Sequence, residues 1–228
     1  MHPQKRRILT STSIAGAVAA ACCGAAGADI LNSWQLTDGQ TSASFTLSGV
    51  NVTVESFNGA FKGKTVGGFS GVGVGGGSVA GEIDNLEFIR FSFSQPVNVI
   101  SLSLGALYTA GNYGDTVHES ALITTDLGSH LLIASGATSG SWNGFGTLQN
   151  DSPATQGQGG AWTISGSSIF AGPITTLTLA SGNPGPSNAG DFTFRSIAVE
   201  QASIPAPGAG LLFAAAGVMV LGRRRRRR

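Results

Sequence analysis

The stretch LEFIRFSFSQPVNVISLSLG, residues 86–105, alternates apolar and polar side chains on both sides of a Gln-Pro pair. The alternating apolar residues are Ile89, Phe91 and Phe93 before the pair, and Ile100, Leu102 and Leu104 after it. A period of two is typical of β-strands that bury one face and leave the other in water. Because proline favours turns, Gln95-Pro96 is predicted to separate two strands.

The same period recurs across residues 29–204. The other residues that follow it are Phe45, Leu47, Val50, Val52, Val54, Leu177, Leu179, Phe192, Phe194, Ile197 and Val199. Turn signals separate these runs at Ser48-Gly49, Gly111-Asn112, Gly136 and residues 182–186. No part of the segment shows a sustained helical period. We therefore predict an all-β fold, a β-sandwich of the jelly-roll kind.

Charge is distributed unevenly along the 228-residue chain, of which 11% is charged. Most basic residues lie at the two ends, so residues 29–204 hold four basic and twelve acidic residues, a net charge of −8. A segment of that sign lacks the positive surface that binds nucleic acid. The 35 glycines and the low charge are typical of exported all-β proteins with many turns.

The N-terminus has the organisation of a secretory signal peptide. A basic group at residues 5–7 precedes the apolar run 8–23, and the small residues Ala26 and Ala28 stand before Asp29. We predict a signal helix that is cleaved after Ala28 when the protein is exported.

Three other interpretations of the N-terminus stay open. They are an uncleaved membrane anchor, a twin-arginine signal at Arg6-Arg7 and a degenerate lipobox at Ala20-Ala21-Cys22. The two cysteines of the chain, Cys22 and Cys23, both lie in this region. Cleavage after Ala28 would leave a body with no thiol and no disulfide.

The C-terminus has an uncharged run, residues 208–222, followed directly by arginines. These fifteen residues reach roughly 22 Å as a helix, which is short of a hydrocarbon core of about 30 Å. Positive flanks stay in the cytoplasm, so we predict a short transmembrane helix with the body outside. The membrane-stop residues are Arg223, Arg224, Arg225, Arg226, Arg227 and Arg228. The alternative is a soluble core helix with a nucleic-acid-binding tail.

The order of Pro205-Ala206-Pro207, short apolar helix and arginine cluster resembles the PEP-CTERM sorting signal of Gram-negative bacteria. Proteins of that group carry a signal peptide, enter the inner membrane transiently and are processed by an exosortase, a membrane cysteine protease. The resemblance implies delivery to the cell surface or to the exopolysaccharide matrix of a biofilm. Ala206 stands where the family motif has glutamate, which leaves the processing enzyme open.

Two parts of the body also resemble elements that recur in this exported group. They are residues 86–105 and the stretch DFTFRSIAVE from Asp191, which is similar to a closing strand. This resemblance implies a sandwich and no particular activity. The chain thus divides into a signal peptide (1–28), a β-sandwich body (29–203) and a sorting signal (204–228).

A glycine-rich stretch, GGFSGVGVGGGSVAGE at residues 67–82, contains the pattern G-x-G-x-x-G. That pattern binds dinucleotides only between a strand and a helix, and no helix is expected here. We predict a flexible glycine-rich loop. The nearby GAFKGKT lacks a phosphate-binding loop because Asn58 stands where its first glycine belongs.

Acidic residues offer one candidate metal site. Glu82 and Asp84 would share a strand face, and together with Asp191 they are candidate oxygen ligands for Ca²⁺. Their spacing matches no calcium loop, so we predict that these residues and Glu87 form solvated surface. A structural Ca²⁺ is the alternative.

Hydrolytic sites are weakly indicated. The residue types of a triad occur near each other, but no G-x-S-x-G motif is present. Those residues are Asp115, His118, Glu119 and Asp126. Candidates for a glycosidase acid and base are Glu55, Glu87 and Glu119, with nothing to place two in one cleft. We predict no catalytic, cofactor-binding or metal-binding residues.

Trp34, Trp142 and Trp162 are predicted to belong to the core. The alternative for Trp142, within SGSWNGFG, is a loop position that stacks on a sugar ring. We expect a non-enzymatic surface or matrix protein whose partners are the export machinery, an exosortase-type protease and exopolysaccharide. The alternative is a carbohydrate-binding module or a glycan hydrolase.

Overall fold

The computed structural model describes residues 27–112, 116–152, 159–183 and 190–203. Within them the chain is all-β, as predicted, with thirteen strands, one 3-10 turn at Ser33–Gln35 and no α-helix. The strands are β1 Asp29–Asn32, β2 Ser42–Leu47, β3 Val50–Phe57, β4 Phe61–Val66, β5 Phe69–Val74, β6 Phe88–Tyr108, β7 Ser120–Thr125, β8 Gly128–Ile133, β9 Ser141–Trp142, β10 Thr147–Asn150, β11 Gly159–Ser165, β12 Ile174–Ser181 and β13 Thr193–Gln201.

The strands of the described residues form one antiparallel sheet. Its main path runs β4-β5-β13-β6-β12-β7-β8-β9, while β1 pairs with β13, β2 joins through β3, and β10 joins through β11. The first half of β6 lies between β3 and β12, and its second half lies between β13 and β11. The long strand β6 therefore connects the two parts of the sheet.

The turn predicted at Gln95-Pro96 is wrong, because both residues lie inside β6. Proline cannot donate to a ladder and is tolerated in a strand where the pairing is irregular. The pairing register with β12 shifts at this point. Ser92 pairs with Thr176, whereas Val97 pairs with Ile174. Pro96 O accepts a hydrogen bond from Ala202 N at 3.1 Å.

The two halves of β6 do not follow a straight line. Phe91 lies in the first half, and Phe194 pairs with Leu104 of the second half, yet the two phenyl ring centroids are 5.1 Å apart. A straight strand would separate residues 91 and 104 by roughly 43 Å. The strand bends, and side chains from both parts of the sheet meet.

The predicted alternation is confirmed along most strands, with exceptions at Phe45 and Ile100. Phe45 is half-buried and packs against the core. Ile100 is an extra residue at a register shift with β13, so it is half-buried as well. The shift moves the buried face of β6 from the odd to the even positions. Buried residues of β6 on either side of it are Val97, Val99, Leu102 and Leu104.

Part of the predicted glycine-rich loop is strand β5, which pairs with β4 along its whole length. Val72 and Val74 are buried in the core. A Cβ built on Gly71 would overlap the Thr193 side chain, and one on Gly73 would overlap the Glu82 backbone. Glycine at these positions permits close packing of backbones, so flexibility is the wrong interpretation of 69–74.

The two ends of the described body lie side by side. Strand β1 pairs with β13 and sets Asp29 opposite Val199. The Asp29 carboxylate accepts a hydrogen bond from Ser48 N at 2.5 Å, and Ser48 Oγ donates to Val199 O at 2.9 Å. Ser48 and Gly49 have positive φ and form the predicted β2–β3 turn. The start of β1, this turn and the end of β13 thus form one end of the fold.

Candidate functional site

Four acidic side chains predicted to be solvated are buried instead. Glu82, Asp84, Glu87 and Asp191 are each at most 6% exposed. Glu82 forms a β-bridge with Val74, and Ile83 forms one with Phe192. The segment 82–84 therefore passes between the end of β5 and the residues before β13, which takes its carboxylates out of water.

The first pair consists of Glu82 and Asp191, whose carboxyl groups lie within hydrogen-bonding reach of each other. Lys64 Nζ lies 2.9 Å from Glu82 Oε1 and supplies one positive charge. Burial, together with the Asp191 carboxyl, raises the pKa of Glu82 from 4.5 to about 8, against the opposing effect of Lys64. This pair holds a proton in neutral solution.

The second pair consists of Asp84 and Glu87, whose carboxyl groups also lie within hydrogen-bonding reach. Gly76 N donates to Glu87 Oε1 at 2.6 Å, and Val79 N donates to Asp84 Oδ2 at 2.9 Å. Burial raises the pKa of Glu87 from 4.5 to about 7, assisted by the Asp84 carboxyl. Asp84 Oδ1 is buried and receives no hydrogen bond.

The Asp84–Glu87 pair lies beside an open cavity of about 480 Å³. The cavity is lined by Asn58, Gly76, Gly77, Ser78, Asn85, Leu86 and Glu87. Leu86 is 78% exposed at its rim. Sequence patterns did not indicate this cavity, because Asn58 comes from the β3–β4 connection and the other residues from the segment after β5.

The three carboxylates that the sequence offers as candidate calcium ligands are distributed over two pairs. Glu82 and Asp191 belong to one pair, and Asp84 belongs to the other with Glu87. Among the residues that the structure describes, no three or more His, Cys, Asp or Glu side chains are grouped to hold a metal ion. A cation in this region would need oxygen ligands beyond carboxylates.

The buried pairs make stability depend on pH. The folded chain keeps protons on Glu82 and Glu87 that the unfolded chain releases near pH 4.5. Folded protein binds more protons in this window, so the free energy of unfolding falls as the pH rises from 4.5 to about 8. The stabilising contribution of the two buried pairs is complete below pH 4.5 and is lost above about pH 8.

Urea unfolding at a series of pH values, with a chelator present, measures this dependence. We expect Glu82→Gln to reduce the slope of the pH profile and leave the part due to Glu87, because glutamine keeps a hydrogen-bonding group and cannot titrate. Asp38→Asn is the matched control, since Asp38 is exposed and paired with Lys62. A free energy of unfolding that rises between pH 4.5 and 8 would show that the pairs do not titrate as described.

The candidate hydrolytic carboxylates are each held by a separate partner. Glu55 Oε2 lies 2.8 Å from Arg90 Nη2, and Glu119 accepts a hydrogen bond from Tyr108 N. Glu87 belongs to the buried pair described above. Among the described residues, no contact therefore brings two of these glutamates together as an acid and a base.

The candidate triad residues are likewise held by different groups. His118 Nδ1 lies 2.9 Å from Thr109 Oγ1. Asp126 accepts hydrogen bonds from Thr175 N and Oγ1, which lower its pKa despite the opposing effect of burial. Asp115 lies outside the described residues.

The three tryptophans have different surroundings. Trp162 is buried, as predicted, and its indole N–H donates to Leu107 O at 3.0 Å. Trp34 is 78% exposed in the 3-10 turn, so its assignment to the core is wrong. Trp142 is half-buried; its indole N–H donates to Phe145 O at 2.8 Å, and its ring packs beside His130.

The predicted processing residues are only partly within the described chain. Ala28 and Asp29 are described, and Asp29 begins β1. Ala26, the motif Pro205-Ala206-Pro207 and the arginines of 223–228 lie outside the described residues, as do the predicted signal and transmembrane helices. Within the described ranges, no helix has the length and apolar character needed to cross a membrane.

Comparison of the chain with protein-family models gives no match, and comparison with curated proteins gives no similar sequence. The functional argument therefore depends on the residues and their geometry.

Proposed function

We propose that the chain is a non-enzymatic exported protein of the cell surface or extracellular polysaccharide, sorted by a C-terminal signal of the exosortase type. The observation that best supports this is the pairing of β1 with β13, which sets Asp29 opposite Val199. The predicted signal cleavage point and the predicted sorting signal consequently leave the body at the same end. Both hydrophobic segments of a precursor would reach one membrane while the folded body stays outside.

Processing at the two predicted points would spare the fold. Cleavage after Ala28 leaves β1 whole and keeps the hydrogen bonds between Asp29 and Ser48. At the other end, β13 finishes at Gln201, and Ala202 N still bonds to Pro96 O. Removal of residues from 204 onward would take away no strand of the described body.

We further propose that the single sheet closes into a β-sandwich of the jelly-roll kind. The contact between Phe91 and Phe194 joins side chains from the two parts of the sheet that β6 connects. Alternating burial along β3 and β12 means that these strands hide one face only. A sheet with one apolar face is stable when that face packs against another layer.

Carbohydrate binding is the second candidate function, and two tryptophans are relevant to it. An exposed indole provides the flat apolar face that stacks on a sugar ring, and Trp34 has this exposure. Trp142 remains a candidate through the part of its ring that stays accessible. Trp142 is less available than Trp34, because its indole N–H already donates to Phe145 O and its ring already packs beside His130.

Retention on extracellular polysaccharide tests the proposal. We expect the exported protein to co-sediment with isolated polysaccharide. If the Trp34 ring stacks on a sugar, Trp34→Ala should weaken the affinity by up to about tenfold, since ring contacts contribute roughly 0.5–1.5 kcal/mol. Trp142→Ala measures the other candidate, and Phe145→Ala is the exposed-aromatic control. If both tryptophan variants still bind the polysaccharide, the result would favour a surface protein that binds without ring stacking. Wild-type protein that never co-sediments would contradict a polysaccharide role.

A further inference from the structure

Lys64, Glu82 and Asp191 form a cluster in which one lysine meets two buried carboxyl groups. Lys64 Nζ lies 2.9 Å from Glu82 Oε1, and the Asp191 carboxyl lies within hydrogen-bonding reach of Glu82. Glu82 and Asp191 are each at most 6% exposed, and the Lys64 side chain is 26% exposed. The fold therefore brings a primary amine and two carboxyl groups together with little access for water.

The three residues come from separate parts of the chain. Lys64 lies on β4, and Asp191 comes shortly before β13. Glu82 lies in the segment after β5, which β-bridges attach to β5 and to the residues before β13. A Cβ built on Gly81 would lie 3.0 Å from Lys64 Cβ, so glycine at 81 lets this segment pass directly against β4. Backbone packing thus holds the cluster together in the folded chain.

A salt bridge alone is a costly use of such a cluster. Taking an ammonium and a carboxylate out of water costs free energy that their attraction seldom returns in full. Transfer of one proton from the ammonium to a carboxylate neutralises both partners. The products are a free amine, which is the nucleophilic form of lysine, and a carboxylic acid. These two groups condense to an amide when they are held in contact and water is excluded.

The contacts assign a different role to each residue. A general acid–base group must reach both the atom that gives a proton and the atom that receives it. Among the described residues, Glu82 is the one side chain in contact with both Lys64 and Asp191. Burial raises the pKa of Glu82 to about 8, so near neutral pH it can return a proton that it has taken. Lys64 is then the nucleophile and Asp191 the acceptor.

We propose that Lys64 and Asp191 form an intramolecular isopeptide bond, an amide between Lys64 Nζ and Asp191 Cγ, with Glu82 carrying the protons. Within the described ranges, Lys64 forms no ion pair with Asp191, so the flexible lysine stem must swing Nζ from Glu82 to Asp191. The new N–C bond forms as one C–O bond of the Asp191 carboxylate breaks. Two protons of the ammonium pass through Glu82 to the leaving oxygen, which departs as water. Glu82 ends in the protonation state in which it began, and no oxidant or cofactor is needed.

This bond would tie β4 to the residues before β13, far apart in the sequence. The body 29–203 contains no cysteine, so a disulfide cannot supply such a link. An isopeptide bond, unlike a disulfide, is not broken by reducing agents. Glu82 keeps its carboxyl group in the bonded chain, so the pH dependence of unfolding described above still applies. The inference is independent of where the protein is delivered.

Mass spectrometry of the purified protein tests the bond. We expect an intact mass about 18 Da below the mass calculated for its termini, because forming one amide releases one water. Digestion should yield a branched fragment that joins Lys64 to Asp191. A wild-type chain at its full calculated mass would overturn the proposal. A branch between Lys64 and Glu82 would overturn the assignment of the acceptor and the proton carrier.

Variants with circular dichroism that matches the wild type distinguish this bond from dehydration elsewhere in the chain. Lys64→Arg should have the full calculated mass, because a guanidinium keeps the positive charge and stays protonated. Asp191→Ala and Glu82→Gln should do the same through loss of the acceptor and of the proton carrier. Lys62→Arg is the matched control, since Lys62 lies on the same strand, is exposed and pairs with Asp38; it should keep the mass deficit. A deficit that persists in Lys64→Arg would overturn the proposal, and one that persists in Glu82→Gln would exclude Glu82 as the proton carrier.

Discussion

Phe91→Ala is expected to lower the free energy of unfolding by about 3–5 kcal/mol, the range for deleting a buried phenyl ring. Phe91 has no exposed surface and lies on β6 between Val54 of β3 and Leu177 of β12. Its ring also contacts Phe194 from the other part of the sheet. The cavity left by alanine would weaken both parts, and a domain of typical stability has only 5–15 kcal/mol to lose.

Urea denaturation of the wild type and the variant measures this loss. Phe145→Ala is the matched control, because it removes the same atoms from a side chain that is 54% exposed. That control should change the free energy of unfolding by less than about 0.5 kcal/mol. Equal losses for the two variants would contradict the placement of Phe91 at the junction of the sheet.

The strands could be predicted because their signal is local. Val50, Val52 and Val54 show their burial in the spacing of the sequence alone, and the structure confirms it. Continuity of β6 through Pro96 could not be predicted in this way. A proline indicates a turn unless pairing with distant strands is already known, and here β12 and Ala202 supply that pairing.

The acidic residues show a different limit of sequence reasoning. Glu82 and Asp84 look solvated because isolated carboxylates seldom enter a core. Glu82 is buried against Asp191, more than a hundred positions away, and Lys64 from strand β4, while Asp84 is buried against Glu87. The glycines at 71 and 73 suggest a flexible loop in the sequence, and only the structure shows that they let two backbones pack closely because they lack a Cβ.

Residue type alone predicts that Trp34 lies in the core. The 3-10 turn that exposes it follows β1 directly, and Gln35 Oε1 accepts a hydrogen bond from Asn32 N at 2.9 Å. Such a turn rotates the side chain out of the alternation that precedes it. Short turns of three residues leave no periodic pattern in a sequence, so the exposure of this indole required the structure.

Processing at both ends is the second large effect that we expect. We expect an exported chain that lacks the predicted signal peptide and the predicted sorting signal, because prolines at 205 and 207 favour extended conformations at the residues before them and a protease binds its substrate in that form. Replacing both prolines by alanine should cause a longer, membrane-associated form to accumulate. Replacing Pro96 by alanine is the control, since that proline lies within the body and should leave processing unchanged.

Intact-mass spectrometry of the exported species tests this account most directly. We predict a chain that begins at Asp29 and ends between Pro205 and Gly208, recovered from the cell surface or the medium. A full-length chain from Met1 to Arg228 in the cytosolic fraction would contradict export, and an exported chain that still ends at Arg228 would contradict removal of the sorting signal.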